Sequence, residues 1–158
     1  MNYYKQNDSK NIHQIPAHHE GKGTFDVCPL FDQDLKIPIK TQIWELSPGA
    51  TEGMHHHSDN EALEEFYYFL EGTGTMWVGN EKFSVISGDA VLIPQNIDHG
   101  FENTGNKKLK LLIIWGKPKK WPKKKLMNLL KIGSKRSSIK RWGENNELAS
   151  RDILKKEQ

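Results

Sequence analysis

Between Lys40 and Gly116 every apolar run is short, and each one stops at a residue that turns the chain. Residues 41–46 (TQIWEL) end at Ser47-Pro48-Gly49, and residues 65–70 (EFYYFL) end at Glu71-Gly72. Residues 75–78 (TMWV) and 82–86 (KFSVI) flank Gly79-Asn80, the dipeptide type of a two-residue hairpin turn. Residues 91–93 stop at Pro94, and residues 109–115 (LKLLIIW) stop at Gly116-Lys117-Pro118. Runs this short and regularly punctuated suit strands of an all-β sandwich or barrel, not helices. Helical periodicity is absent there apart from a turn expected around residues 60–64.

The pattern changes after Gly116. Residues 1–116 hold nine Lys or Arg against 16 Asp or Glu, whereas residues 117–158 hold fourteen against four. Two prolines and six lysines in residues 117–125 (KPKKWPKKK) rule out a central strand. Residues 126–132 (LMNLLKI) and 144–158 have weak helical patterns, too short to be stable without packing. The expected organisation is an N-terminal arm over 1–19, a barrel over 20–116 and a basic extension over 117–158. The chain's 158 residues suit one domain with such a tail. No window approaches the ~20 apolar residues of a membrane span, and the first residues lack the apolar core of a secretory signal. A cytoplasmic protein is therefore expected. The single cysteine, Cys28, excludes an intramolecular disulfide framework and a cysteine-rich zinc site, and reads as a small buried hydrophobe.

Potential metal ligands fall in two clusters. In the first, Gly49 is followed by His55 and His57, and Glu65 comes after seven intervening residues (SDNEALE). In the second, Gly88 and Pro94 lead to Asn96, His99 and Asn103. On a strand, His55 and His57 share one face and His56 points away. Two such imidazoles, a carboxylate on the next strand and a third imidazole from a distant hairpin form an N3O set. That set suits a divalent Fe, Mn, Zn, Ni or Cu ion. Taken alone, three adjacent histidines are equally an exposed surface patch. The remaining histidines, His13, His18 and His19, precede the barrel and read as surface residues more than ligands, with a reach to a neighbouring subunit left open for His18 or His19; Glu52, Glu61 and Glu64 read as solvated loop carboxylates.

The two clusters resemble the paired motifs of the cupin superfamily. GATEGMHHHSDNEALEEFYYFLEG is similar to the first motif, G-x5-H-x-H-x(3,4)-E-x6-G, and GDAVLIPQNIDHGFEN to the second, G-x5-P-x-G-x2-H-x3-N. The resemblance covers roughly residues 20–116 and is closest to the small single-domain cupin-2 type. It implies a double-stranded β-helix (a jelly-roll barrel), often dimeric, with a metal held by His55, His57, Glu65 and His99. Two departures stand out. The gap from His57 to Glu65 is longer than the motif's; Glu61 fits that gap, but Glu65 fits the spacing to Gly72 and is preferred because strand register is tighter than loop length. Asn96 stands where the motif has Gly, and Asn tolerates a left-handed turn.

With Glu65 facing inward, Tyr67 and Phe69 follow it, and Phe101 follows His99. Trp44, Met76 and Ile113 are further candidates for a pocket wall, with Tyr67 as its polar handle and candidate catalytic group. Of these, Phe69, Phe101 and Ile113 read more readily as barrel core than as pocket wall. Such a wall suits a small, partly apolar substrate. The chain is thus expected to be a metal-dependent cupin acting on a small organic metabolite, with a lean toward oxygenase chemistry. Lyase, decarboxylase, isomerase and non-catalytic ligand-binding readings stay open, because fold does not fix reaction. The lysine- and arginine-rich tail, with Trp121 and Trp142 interleaved, leaves open a contact with nucleic acid or an anionic surface; a solvated tail is the plainer reading.

Overall fold

The computed structural model describes residues 3–58 and 62–118. Among them there are ten strands and no helix. The strands are β1 (His13–Pro16), β2 (Thr24–Pro29), β3 (Ile39–Leu46), β4 (Thr51–His55) and β5 (Glu64–Glu71). They continue with β6 (Thr73–Val78), β7 (Glu81–Ile86), β8 (Ala90–Ile93), β9 (His99–Glu102) and β10 (Leu109–Gly116). Two antiparallel sheets result, ordered β1-β2-β3-β10-β5-β8 and β4-β9-β6-β7. The all-β barrel expected from the punctuated strands is present, with the jelly-roll form that the resemblance implies.

Alternation along the strands decides what lies between the sheets. On β5, Glu65, Tyr67 and Phe69 are buried, while Phe66, Tyr68 and Leu70 lie on the other face. On β10 the buried set is Leu109, Leu111 and Ile113. Cross-strand pairs stack these residues in layers: Glu65 opposes Trp115, Tyr67 opposes Ile113, and Phe69 opposes Leu111. In the other sheet His99 opposes Val78 and Phe101 opposes Met76. One end of the barrel is therefore polar, and the core below it is apolar. Asn103 is buried beyond β9, where its Nδ2 donates to the carbonyls of Leu46 and Lys107 at 2.8 Å each. The hairpin at Gly79-Asn80 joins Val78 to Glu81, with Gly79 at φ 56°.

Residues 13–16, expected within an N-terminal arm, form β1 and pair with β2 of the same chain. Residues 3–12 run on over the outer side of β2. Gln6 Nε2 donates to the Pro29 carbonyl at 2.6 Å, and the Phe31 amide donates to Gln6 Oε1 at 2.9 Å. Cys28 is buried beneath them, and burial raises its thiol above the usual range, as suits an inert hydrophobe. The turn expected around 60–64 falls partly on residues 59–61, outside the described residues; 62 and 63 are irregular and Glu64 opens β5. The basic tail from residue 119 onward, with both of its lysine- and arginine-rich runs, also lies outside the described residues. No helix among the described residues is long and apolar enough to cross a membrane.

Candidate metal centre

The polar end of the barrel brings His55, His57, Glu65 and His99 together, their ligand atoms all within 4.8 Å of one another. His55 ends β4 and faces His99 at the start of β9. His57 follows two residues on, and Glu65 reaches across from β5. His56 points outward, where its Nδ1 lies 2.8 Å from Asp98 Oδ1. Asn96 adopts φ 63°, the left-handed turn that its place in the motif requires, and its amide donates to the His57 carbonyl at 2.9 Å. Glu64 shares β5 with Glu65 but takes the opposite face. Glu61 lies outside the described residues.

Three imidazole nitrogens converge on one carboxylate oxygen. Glu65 Oε2 lies 2.6 Å from His99 Nε2, 3.4 Å from His57 Nε2 and 3.9 Å from His55 Nε2. His55 Nδ1 meets the Gly53 carbonyl at 3.0 Å, and His99 Nδ1 meets the Ile97 carbonyl at 2.9 Å. A carbonyl only accepts, so each Nδ1 carries a proton; that leaves His55 Nε2 to face an ion and His99 Nε2 to face Glu65 Oε2. The Nε2 atoms of His55 and His57 are buried with no hydrogen-bond partner. Orphaned buried nitrogens are costly and uncommon, and a cation on these four groups satisfies both. The residues fit a metal.

Electrostatics keep the set ready for a cation. Burial pushes the His55 imidazole down to about 4, so it is neutral at physiological pH. Burial acts to raise the Glu65 carboxyl, but the His99 hydrogen bond and the charges of His99, His57 and His55 outweigh it, leaving it below its ordinary value. Glu65 is thus held as a carboxylate among the three imidazoles.

Glu52 was expected to be a solvated loop carboxylate; it is instead buried on β4 and faces the barrel interior. Strict alternation would put Glu52 and His55 on opposite faces. The β4–β9 register shifts between them, so that Glu52 opposes Phe101 and His55 opposes His99. The bulge at Gly53 and Met54 turns both side chains inward, and spacing alone gives no sign of it. Tyr67, fully buried, places its hydroxyl 3.1 Å from Glu65 Oε2 and 3.4 Å from Glu52 Oε2. Burial and the nearby Glu65 charge hold the Glu52 carboxyl well above the usual range, and burial with both carboxylates raises the Tyr67 phenol likewise.

Beside these groups opens a cavity of about 150 Å³, lined by His18, His19, Trp44, Glu52, His57, Leu63, Glu65, Ile113 and Trp115. That is the liquid volume of roughly five waters. Of the pocket candidates, Trp44 and Ile113 reach the cavity. Phe69, Met76 and Phe101 are fully buried and belong to the core beneath it, because their layers lie farther down the barrel. Tyr67 meets the site through its hydroxyl. His18 and His19, expected on the surface, line the cavity from the loop joining β1 to β2; His18 is half-buried there, and His19 is exposed as expected. The ring of His18 lies 5.2 Å from that of Trp44, and His19 stacks on His55 at 3.5 Å. Nothing in their sequence context marks this, since it depends on where β1 pairs.

The fold is that of a cupin. The family model described as "Cupin domain" matches residues 42–115, and those residues form a small cupin-2 type domain. Uncharacterized protein MJ1618 of Methanocaldococcus jannaschii is 45% identical over 64 residues, 40% of this chain and 49% of that protein. Auxin-binding protein 1 of Arabidopsis thaliana is 25% identical over 120 residues, 69% of this chain and 59% of that protein. The chain therefore spans about half of the first relative and less than two thirds of the second. A solved Thermotoga maritima structure, described as a predicted oxalate decarboxylase, superposes with a TM-score of 0.65 at 24% identity, covering 71% of this chain and 97% of that one. That likeness is one of fold.

Proposed function

We propose that the chain is a metal-dependent enzyme that binds one divalent Fe, Mn, Zn, Ni or Cu ion on His55, His57, Glu65 and His99 and acts on a small, partly apolar organic acid. The observation that carries the metal assignment is the pair of orphaned Nε2 atoms aimed, with His99, at Glu65 Oε2. When bound, such an ion supplies Lewis-acid polarisation of a substrate oxygen, or activation of dioxygen if it is iron. The chain's own residues do the rest. Trp44, Ile113, Trp115 and Leu63 give the cavity an apolar wall that orients a substrate and excludes water. Glu52 faces the same cavity and, with Tyr67, is placed to hold a proton beside the reacting molecule. The cavity's size supports a small substrate, and oxalate, in the description of the Thermotoga maritima neighbour, supports a carboxylic acid.

Oxygenase chemistry is the reaction class we favour; decarboxylation is the second reading, supported by that same description. The test is a screen of small organic acids against apo protein reloaded with each of the five metals, following oxygen uptake and carbon dioxide release. Turnover that needs both the metal and Glu65 supports an enzyme, and oxygen uptake separates the two reactions. Tight metal binding with no turnover in any combination would replace this reading with a non-catalytic ligand-binding cupin. The proposal includes a cytoplasmic homodimer. Supporting self-association, Phe66, Tyr68, Leu92, Leu112 and Ile114 lie side by side on the outer face of β5, β8 and β10, a contiguous apolar stripe.

A further inference from the structure

His55 is held by more than its own strand. Residues 17–23, between β1 and β2, press against β4 through their backbone. The Gly53 amide donates to the His18 carbonyl at 3.1 Å, the Thr51 amide to the Lys22 carbonyl at 2.9 Å, and the Lys22 amide to Thr51 Oγ1 at 2.7 Å. The approach is close enough to require glycine at position 53, where an added Cβ would stand 1.6 Å from the His19 carbonyl oxygen. His19 and Glu20 both take left-handed backbone conformations, φ 53° and 61°. Non-glycine residues adopt these at a cost, and keep them where the surroundings over-determine the geometry. The product of this loop is the His19 ring lying flat on His55, 3.5 Å between centroids and 9° between planes.

We propose that His19, which belongs to neither histidine motif, is a positioning residue for the metal centre. Its ring and the Gly53 carbonyl together fix the direction in which His55 Nε2 points. This rests on the metal reading above. The geometry separates His19 from the ligands themselves. The rings of His57 and His99 stand at 84° and 52° to His55, as ligands approaching one ion from different sides do. Ligand atoms of His19, Glu52 and His55 also lie within 4.8 Å of one another, but the His19 ring is parallel to that of His55, so their in-plane lone pairs run side by side instead of converging as those of His57 and His99 do. A stacked ring blocks rotation about the His55 side chain in one sense. The Nδ1–H bond to Gly53 restrains it in the other, and Gly53 is itself tied to the loop.

The experiment compares full-length wild type, His19→Ala and His19→Phe, titrated with Co(II) by equilibrium dialysis, with the visible Co(II) absorption recorded for each. Loss of the stack weakens Co(II) binding about 2- to 10-fold in His19→Ala, the range expected for one aromatic pair. The flat but non-ligating ring of His19→Phe restores it. All three proteins show the same Co(II) absorption bands, since the ligands are unchanged. Wild-type affinity in His19→Ala overturns the proposal. So does His19→Phe binding as weakly as His19→Ala; an altered Co(II) spectrum in both variants would then make His19 a ligand. A wild-type protein that takes up no Co(II) overturns the metal reading together with this inference, and only that outcome reaches both.

Discussion

Tyr67→Phe removes one oxygen from the join between the metal centre and the core, and its cost follows from the contacts. The ring is fully buried and packs edge-on against Phe101 at 5.7 Å between centroids, a contact phenylalanine keeps. No cavity opens beyond the volume of the hydroxyl. What disappears is a hydrogen bond of 3.1 Å to Glu65 Oε2; the 3.4 Å approach to Glu52 is too long to count for much. A buried hydrogen bond to a charged acceptor contributes about 1.5–3 kcal/mol. Relief from burying the hydroxyl offsets part of this, leaving a loss of about 1.5 kcal/mol. With a urea m-value of about 1.5 kcal/mol/M, the midpoint of the chelator-treated protein falls by about 1 M with no change in m. Carboxylate ligands rely on such outer partners, and losing one weakens metal affinity by about 10- to 100-fold. Urea unfolding followed by circular dichroism and a metal titration check the two effects. An unchanged or raised midpoint would refute the assignment of the hydroxyl as a donor to Glu65.

Burial holds the Glu52 carboxyl above its unfolded value, so its contribution to stability is present below about pH 4.5 and is lost as pH rises. Glu52→Gln cannot ionise, so thermal melts of apo protein should show it more stable than wild type at pH 7 and no more stable at pH 4; a lower melting temperature at pH 7 contradicts this. For His55 the sign is reversed. Its folded value of about 4 lies below the unfolded 6.5, so apo stability is full above pH 6.5 and falls as pH drops toward 4. His55→Gln should flatten that part of the stability profile, and a profile as steep as wild type would exclude His55 as its source. On the outer sheet face, Tyr68→Lys with Leu92→Glu should convert a dimer into a folded monomer by light scattering, whereas a dimer that survives both changes places the interface elsewhere.

How much of this was legible depends on what each feature needs. Strands ending at Gly, Pro or Asn, and the hairpin at Gly79-Asn80, are local, and they were readable from residue order. The meeting of His55, His57, Glu65 and His99 was readable because two spaced motifs carry it. Glu52 was hidden because one extra residue opposite β9 reverses its face, and a bulge leaves no mark on the side-chain pattern beyond a glycine at position 53. β1 and β2 were hidden because they are short and each ends in proline, and with them went the route by which His18 and His19 reach the cavity. The pocket was overdrawn downward. Phe69, Met76 and Phe101 do face inward, but facing inward in a barrel with layered side chains means core for every layer below the first.

The central claim is that four side chains at one end of this barrel hold one metal ion. Its most direct measurement is the metal content, by elemental mass spectrometry, of wild type and His57→Ala after saturation with a single divalent metal and desalting. The account predicts close to one ion per chain in wild type and a sharp loss in His57→Ala. Equal occupancy in the two proteins would contradict it.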